Sequence, residues 1–397
     1  MSAPKNIILF DGPQREDLLP LTFTRPVAEI RVGITTLTEK WQFLTGSICS
    51  WLTEDYLAIR YQIHLKEDNL FVNGGIVPDE TLVEAIMKLE KGELLCSGEI
   101  IIAYRSEKSL NDKGSDKGSM KQISYPGELL CILNSWDIFE LNDRVLRDDF
   151  KRITKGRKSG PVSTSNRVFG DGDLFLEEGA KVEGAIINTV TGPVYIGRNA
   201  EIMEGSVIRG PLALCEYASL KMGAKIYGAT TLGPYCKAGG EVHNSVFFGY
   251  TSKAHDGYLG NAVLGEWCNL GADTNNSNLK NNYALVKLWN YRKEKFMDTG
   301  LQFCGLIMGD HSKCGINTMF NTGTVVGVSA NIYGAGFPRN FIPSFTWGGP
   351  GGVVDYRADI AFETVEIVMA RRNKSLTDED KAILLKVYEL TRKYRKK

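Results

Sequence analysis

From Ile196 onward an aliphatic residue returns at every sixth position: Ile196, Ile202, Ile208, Leu214, Leu220, Ile226 and Leu232, with Ala238 continuing the series. The residue four places after each is small or compact at Ala200, Ser206, Ala218, Ala224, Thr230 and Cys236, with Leu212 the exception. Neither the 3.6 period of a helix nor the 2.0 period of a strand generates a strict period of six. A parallel β-helix does, because each flat face of its coil takes one hexad, with the aliphatic pointing inward and the compact residue near a corner. The same signature returns as Met308, Cys314, Phe320, Val326 and Ile332, with Ser312, Thr318, Thr324, Ala330 and Gly336 four places on. The two runs predict a single solenoid beginning near Val168, where Leu174, Ala180 and Ile186 prefigure the period.

Between the runs Leu264 and Leu270 keep the period, but the frame is broken on either side. A solenoid tolerates insertions as loops thrown out from its corners, so residues 243–258 and 276–306 are expected to be such loops and to carry function.

Outside the solenoid, residues 5–12 read as a buried strand running into a turn, residues 81–91 have helical spacing and residues 93–104 alternate like strands, which predicts an α/β domain over 1–150. Residues 106–121 are polar and glycine-bearing, the composition of a mobile loop. The basic and then Gly/Pro/Ser-rich stretch 151–167 reads as a linker. The β-helix is expected over 168–340, and a glycine-rich turn and two helices over 341–397. The second helix has Thr377 as N-cap with Asp380 three residues on, and Ile383, Leu384, Val387, Leu390 and Tyr394 on one face.

Charge and composition narrow the function classes. Lys plus Arg equals Asp plus Glu at 47 each, which argues against a nucleic-acid or anionic-membrane surface. No stretch reaches the length of a membrane span and the opening residues lack signal-peptide organisation, so a cytoplasmic protein is expected. The eight cysteines contain no Cys-x-x-Cys pair, and Cys215, Cys236, Cys268 and Cys314 fall within the hexads, where a reduced thiol packs as a small hydrophobe.

Two stretches carry candidate chemistry. Leu19-Pro20-Leu21-Thr22 and Arg25-Pro26, after the turn at Gly12, resemble the opening of sugar-1-phosphate nucleotidylyltransferases. A turn after a first strand presents backbone N–H groups and cations to phosphates, and Gly12, Arg15, Arg25 and Arg31 are the candidates for nucleotide binding. The sequence departs from that family where Pro26 is followed by Val27, and where Asn73-Gly74-Gly75 replaces a Gly-Asp whose aspartate holds magnesium. Asp11 and Asp79 are acids nearby in sequence.

The second stretch runs from Glu241-Val242-His243-Asn244-Ser245 through His255-Asp256-Gly257-Tyr258-Leu259-Gly260 to Asn269-Leu270-Gly271-Ala272. It resembles the acetyltransferase half of bifunctional N-acetylglucosamine-1-phosphate uridylyltransferases, and most of all their archaeal type. The resemblance implies a left-handed β-helix and a homotrimer with sites between neighbours. It implies His255 as general base, and Lys221, Tyr258, Asn269, Asn278 and Lys287 as substrate ligands. It further implies acetyl-CoA as acyl donor, a nucleoside triphosphate (UTP or dTTP) and a sugar 1-phosphate (of glucose or N-acetylglucosamine) as substrates, and Mg2+ for the nucleotidyl half. Taking a proton from an amine needs a base that titrates near neutrality, which histidine supplies. The alternative is a nucleotide-sugar-binding or scaffold protein whose nucleotidyl domain is inactive and whose β-helix only oligomerises.

Overall fold

The hexads form three stacked faces of parallel strands in a β-solenoid. The computed structural model of the protein describes residues 6–110, 118, 120–171 and 173–395. Residues 111–117 and 119 of the expected polar loop lie outside the described residues.

The first face stacks six strands: Arg167–Phe169, Ile186–Asn188, Val207–Arg209, Lys225–Tyr227, Glu241–His243 and Tyr258–Gly260. The second face has nine strands from Leu174–Leu176 to Phe341–Ile342. The third runs from Lys181–Val182 to Thr346–Gly349 and ends on an antiparallel strand, Gly352–Asp355. Ile196, Ile202, Ile208, Leu214, Leu220, Ile226, Leu232, Met308, Cys314, Phe320, Val326 and Ile332 all lie in one continuous core. The compact positions Ala200, Ala218, Ala224 and Cys236 belong to it as well. Leu212, at the same kind of position, is buried in that core too.

Two expectations about the frame need correction. In the first coil the inward residues are Leu176, Val182 and Ile187, while Ile186 is 42% exposed. Leu176 pairs with Ile196 and Val182 with Ile202, so the true frame is shifted from the one beginning at Leu174. The stretch 243–258 is not a loop thrown outward. Strands Val246–Gly249, Ser252–Lys253 and Tyr258–Gly260 continue the coil, with Val242, Phe247 and Leu259 inward, so the period fails because corners are shortened. Only 276–306 leaves the coil, as the hairpin Lys287–Asn290 with Lys295–Asp298. Where the chain departs, the buried Asn276 side chain receives the N–H of Gly260 at 2.8 Å and donates to its carbonyl at 2.9 Å, an amide standing in for a backbone rung.

One corner carries an aromatic ladder. Tyr217, Tyr235, Tyr250, Trp267 and His311 sit at φ of 55, 60, 55, 61 and 60°, the left-handed region. That conformation is unfavourable for a side-chain-bearing residue. Their rings stack coil on coil, with centroids 4.8, 5.0, 4.1 and 6.3 Å apart, which offsets the strain.

The chain divides into two compact units, the first being Met1–Leu18, Thr24–Ile30 and Thr35–Asn134 and the second Leu19–Phe23, Arg31–Ile34 and Ser135–Lys397. The first unit has a six-stranded sheet in which Cys49–Leu52, Asn6–Phe10 and Asn69–Asn73 run parallel and Ile100–Ser106 antiparallel to them. The helix Asn142–Thr154, which straddles the expected domain bound at residue 150, packs on the β-helix. Its Leu146 and Phe150 cover Phe175, Tyr195 and Ala213 on the second face. The last long helix, Asp378–Leu390, has the capping box of Thr377 and Asp380. Ile383, Leu384, Val387 and Thr391 are its buried side, while Leu390 is 44% exposed, because the stripe follows the 3.6 period past Val387. A short helix, Arg392–Arg395, follows.

Candidate functional site

The acyl-transfer candidates gather where the third face turns into the first. His255 lies in the four-residue bend between Ser252–Lys253 and Tyr258–Gly260, with its imidazole exposed and, among the described residues, without a hydrogen bond. The bend is tightly stacked. A Cβ on Gly240 would meet the Asp256 Cα at 2.8 Å, and one on Gly257, at φ +110°, would meet the Thr274 carbonyl oxygen at 2.1 Å. Glycine is therefore required on both sides of the bend.

What holds the bend in place is Lys253, which sequence reasoning missed. It takes an inward position of the third face, paired with Ala238, and is 1% exposed. Its ammonium donates to the carbonyls of Gly239 at 2.9 Å, His255 at 2.6 Å and Asp256 at 3.3 Å. Burial pushes its pKa down to about 8, against the opposing pull of Asp256 and Asp273. The signal was available: a lysine two positions from a histidine, fifteen residues after an inward alanine, marks a core position only once the shortened corners are known.

On the first face Tyr258 extends over Gly260, where a Cβ would meet its hydroxyl at 2.2 Å. Asn278 donates to the Tyr258 hydroxyl at 2.9 Å and to Asn261 Oδ1 at 2.8 Å. Burial raises the Tyr258 pKa, the Asn278 bond lowers it and the Glu241 charge raises it. Glu241 pairs in register with Tyr258 and accepts the Tyr227 hydroxyl at 2.6 Å. Beside it His243 lies against Tyr227 with ring centroids 4.7 Å apart, and burial lowers its pKa. Glu241 and His243 thus join the surface of Tyr258 and Asn278, although the motif alone assigned them no role.

The other expected ligands are dispersed. Lys221 borders the same corner, since Gly239 is flanked by its Cβ and by the Ala254 carbonyl. Asn269 stands on the third face, paired with Ser252 and Lys313. Lys287 is on the hairpin, with Nζ 3.6 Å from Asp298.

In the first unit Arg15 is buried in the turn after the first strand, with Nε 3.3 Å from Asp11 and a hydrogen bond of 2.8 Å to the Tyr56 hydroxyl. Asp11 accepts from the Val27 N–H at 2.7 Å and the Thr53 hydroxyl at 2.6 Å, and burial raises its pKa. Beside Gly12, Gln14 donates to Asn73 Oδ1 at 2.8 Å, and Asn73 also receives the Gly75 N–H. Arg25 is buried in this unit. Arg31 falls in the second unit, where its guanidinium donates to the carbonyls of Phe248 and Ile34. Both Asp11 oxygens are engaged, and among the described residues no three His, Cys, Asp or Glu side chains converge to hold a metal.

Residues 7–158 match the sugar nucleotidyl transferase family. Over 295 residues the chain is 28% identical to the bifunctional protein GlmU of Methanocaldococcus jannaschii, covering 69% of this chain and 65% of that protein. It is also 28% identical over 263 residues to the bifunctional sugar-1-phosphate nucleotidylyltransferase/acetyltransferase of Sulfurisphaera tokodaii, covering 65% of this chain and 59% of that one. Among solved structures, the polySia-specific acetyltransferase NeuO is similar at 13% identity and a TM-score of 0.29, over 49% of this chain and 81% of NeuO. The chain is thus similar to proteins named as bifunctional sugar-1-phosphate nucleotidylyltransferase/acetyltransferases, archaeal ones among them. It spans under two thirds of the length of those two relatives. No helix among the described residues is long and apolar enough to cross a membrane.

Proposed function

We propose that the protein is a cytoplasmic, homotrimeric enzyme of nucleotide-sugar biosynthesis. Its β-helix transfers an acetyl group from acetyl-CoA to an amino-sugar phosphate, and its first unit transfers a uridylyl or thymidylyl group to a sugar 1-phosphate. The observation that carries the reading is an exposed His255 imidazole on a bend whose backbone is anchored by Lys253, next in the chain to the Tyr258 and Asn278 pair. In the acyl transfer the amine nitrogen bonds to the thioester carbonyl carbon as the C–S bond breaks. His255 takes the amine proton and returns one to the departing thiolate. Tyr258, Asn278 and Glu241 orient the sugar.

The deciding experiment incubates the protein with acetyl-CoA, glucosamine 1-phosphate, UTP or dTTP, and sugar 1-phosphates, and reads products by mass. N-acetylated sugar phosphate is expected. Its absence with every amino-sugar phosphate offered would overturn the acetyltransferase reading and leave the scaffold. Nucleotidyl transfer is expected to be slow beside acetyl transfer, since Asp11 and Asn73 are engaged in the fold; a faster uridylyl than acetyl turnover would contradict this.

Lys287→Ala is expected to raise KM for the amino-sugar phosphate about tenfold with kcat within about twofold, because a phosphate held equally in ground and transition states contributes uniform binding. Its exposed partner Asp298 makes the substitution structurally mild. An unchanged KM in steady-state assays would remove Lys287 from the site.

A further inference from the structure

The outer side of the third face carries a second concentration of charge. Lys237, Ser252, Asn269 and Lys313 follow one another rung by rung, each paired in register with the next. Adjacent strands are about 4.8 Å apart, so the two lysines stand roughly 14 Å from each other with a hydroxyl and an amide between them. Facing this column is the end of the helix Ala358–Ala370, which brings Arg371 and Arg372 over it. The space enclosed is a cleft of about 450 Å³, walled on one side by Tyr250 and Trp267 of the aromatic ladder.

We propose that this cleft is a binding site for a small multivalent phosphate, a diphosphate or triphosphate group held between the lysines of the third face and the two arginines at the helix end. Four cations line it and no carboxylate does. Among the described residues none of the four makes an ion pair. Such a cluster is self-repelling, and Lys237 shows it: burial first, then the Arg372, Lys221 and Arg371 charges, push its pKa down. Burial likewise pushes Lys313 down to about 8. Among the described residues the Lys313 ammonium donates to the His311 carbonyl alone, at 2.9 Å, which leaves two of its protons for a ligand. The Cys268 thiol beside it has its pKa pushed up by burial, so it stays neutral and supplies no countercharge.

The chemistry selects phosphate over a single carboxylate. Two guanidinium forks and two ammonium groups offer more donors than a monovalent anion accepts, and Arg pairs with phosphate oxygens bidentately. The ladder rings stack on one another, so Tyr250 and Trp267 turn edges rather than faces to the cleft. A base would have no open ring face to stack on, and the phosphate chain is the part recognised.

The test is titration calorimetry on the full-length protein in magnesium-free, low-salt buffer, with inorganic pyrophosphate in one arm and UDP in the other. A site that the arginine substitutions below remove is expected in both arms, separate from whatever the nucleotidyl unit binds, with affinity falling as salt is raised. The double variant Arg371→Ser/Arg372→Ser is expected to weaken binding at least tenfold, as is Lys313→Met, with Lys313→Arg restoring most of it. Lys293→Ser, which removes an exposed cation on the hairpin, is expected to change nothing. Thermal midpoints within a few degrees of wild type would show that the arginine variant folds; these arginines lie past the helix end, on the surface. Absence of pyrophosphate binding at millimolar concentration overturns the proposal, as does an affinity that survives the arginine double variant. Binding of UDP without pyrophosphate overturns it too, because the nucleoside would then be what is recognised.

Discussion

His255→Ala is expected to lower acetyl transfer by on the order of 10²–10⁴ in kcat, the range for losing a positioned general base. The fold should be indifferent to the change. The imidazole is exposed and makes no hydrogen bond among the described residues, and the Lys253 anchor uses the His255 carbonyl, which alanine retains. Circular dichroism and the urea midpoint should therefore match wild type while single-turnover transfer collapses. Retained transfer in a folded His255→Ala protein would remove the base from the mechanism and point to His243, which lies beside Glu241.

Lys253→Met is the second large effect, and it acts on both stability and rate. The substitution conserves length and apolar stem but removes the ammonium. The Gly239 and His255 carbonyls lose their donor, while the Asp256 carbonyl keeps the Asp273 N–H at 3.1 Å. Two orphaned carbonyls cost roughly 1–3 kcal/mol each, partly offset by no longer burying a charge, for a net loss of about 2–4 kcal/mol. Urea unfolding measures it, and a variant as stable as wild type would show that the ammonium is not what holds the bend. Acetyl transfer should fall as well, since the His255 backbone loses its tether.

The buried ammonium also leaves a pH signature. Its pKa is about 8 when folded against an ordinary 10.5, so between those values the unfolded chain binds more protons. Wild-type stability should then rise with pH across that window, because the folded state sheds its buried charge first. Lys253→Met should lack that part of the rise; identical pH slopes in the two proteins would place the titration elsewhere.

Much of this architecture is written in the hexads themselves. A strict return of aliphatics from Ile196 to Leu232 and again from Met308 to Ile332 admits one kind of coil, because each inward position must stack on the one a full turn earlier. Local chemistry likewise suffices for the capping box at Thr377 and for buried thiols at Cys236 and Cys268. The motif around His255 was legible because Tyr258 and Gly260 are bound to each other sterically, the ring of one needing the missing Cβ of the other.

Only the tertiary structure decided the frame of the first coil and of the stretch from Ala238 to Leu264, where shortened corners shift the period without breaking the coil. Periodicity assumes corners of constant length, so it misread 243–258 as a loop and left Lys253 looking like a surface residue. Arg31 shows the same limit at longer range: its sequence neighbours belong to the nucleotidyl opening, but its guanidinium donates to the Phe248 carbonyl more than two hundred residues away in the chain, as well as to that of Ile34. Where the acceptors of each cation fall is a property of the folded chain and not of any local run of residues.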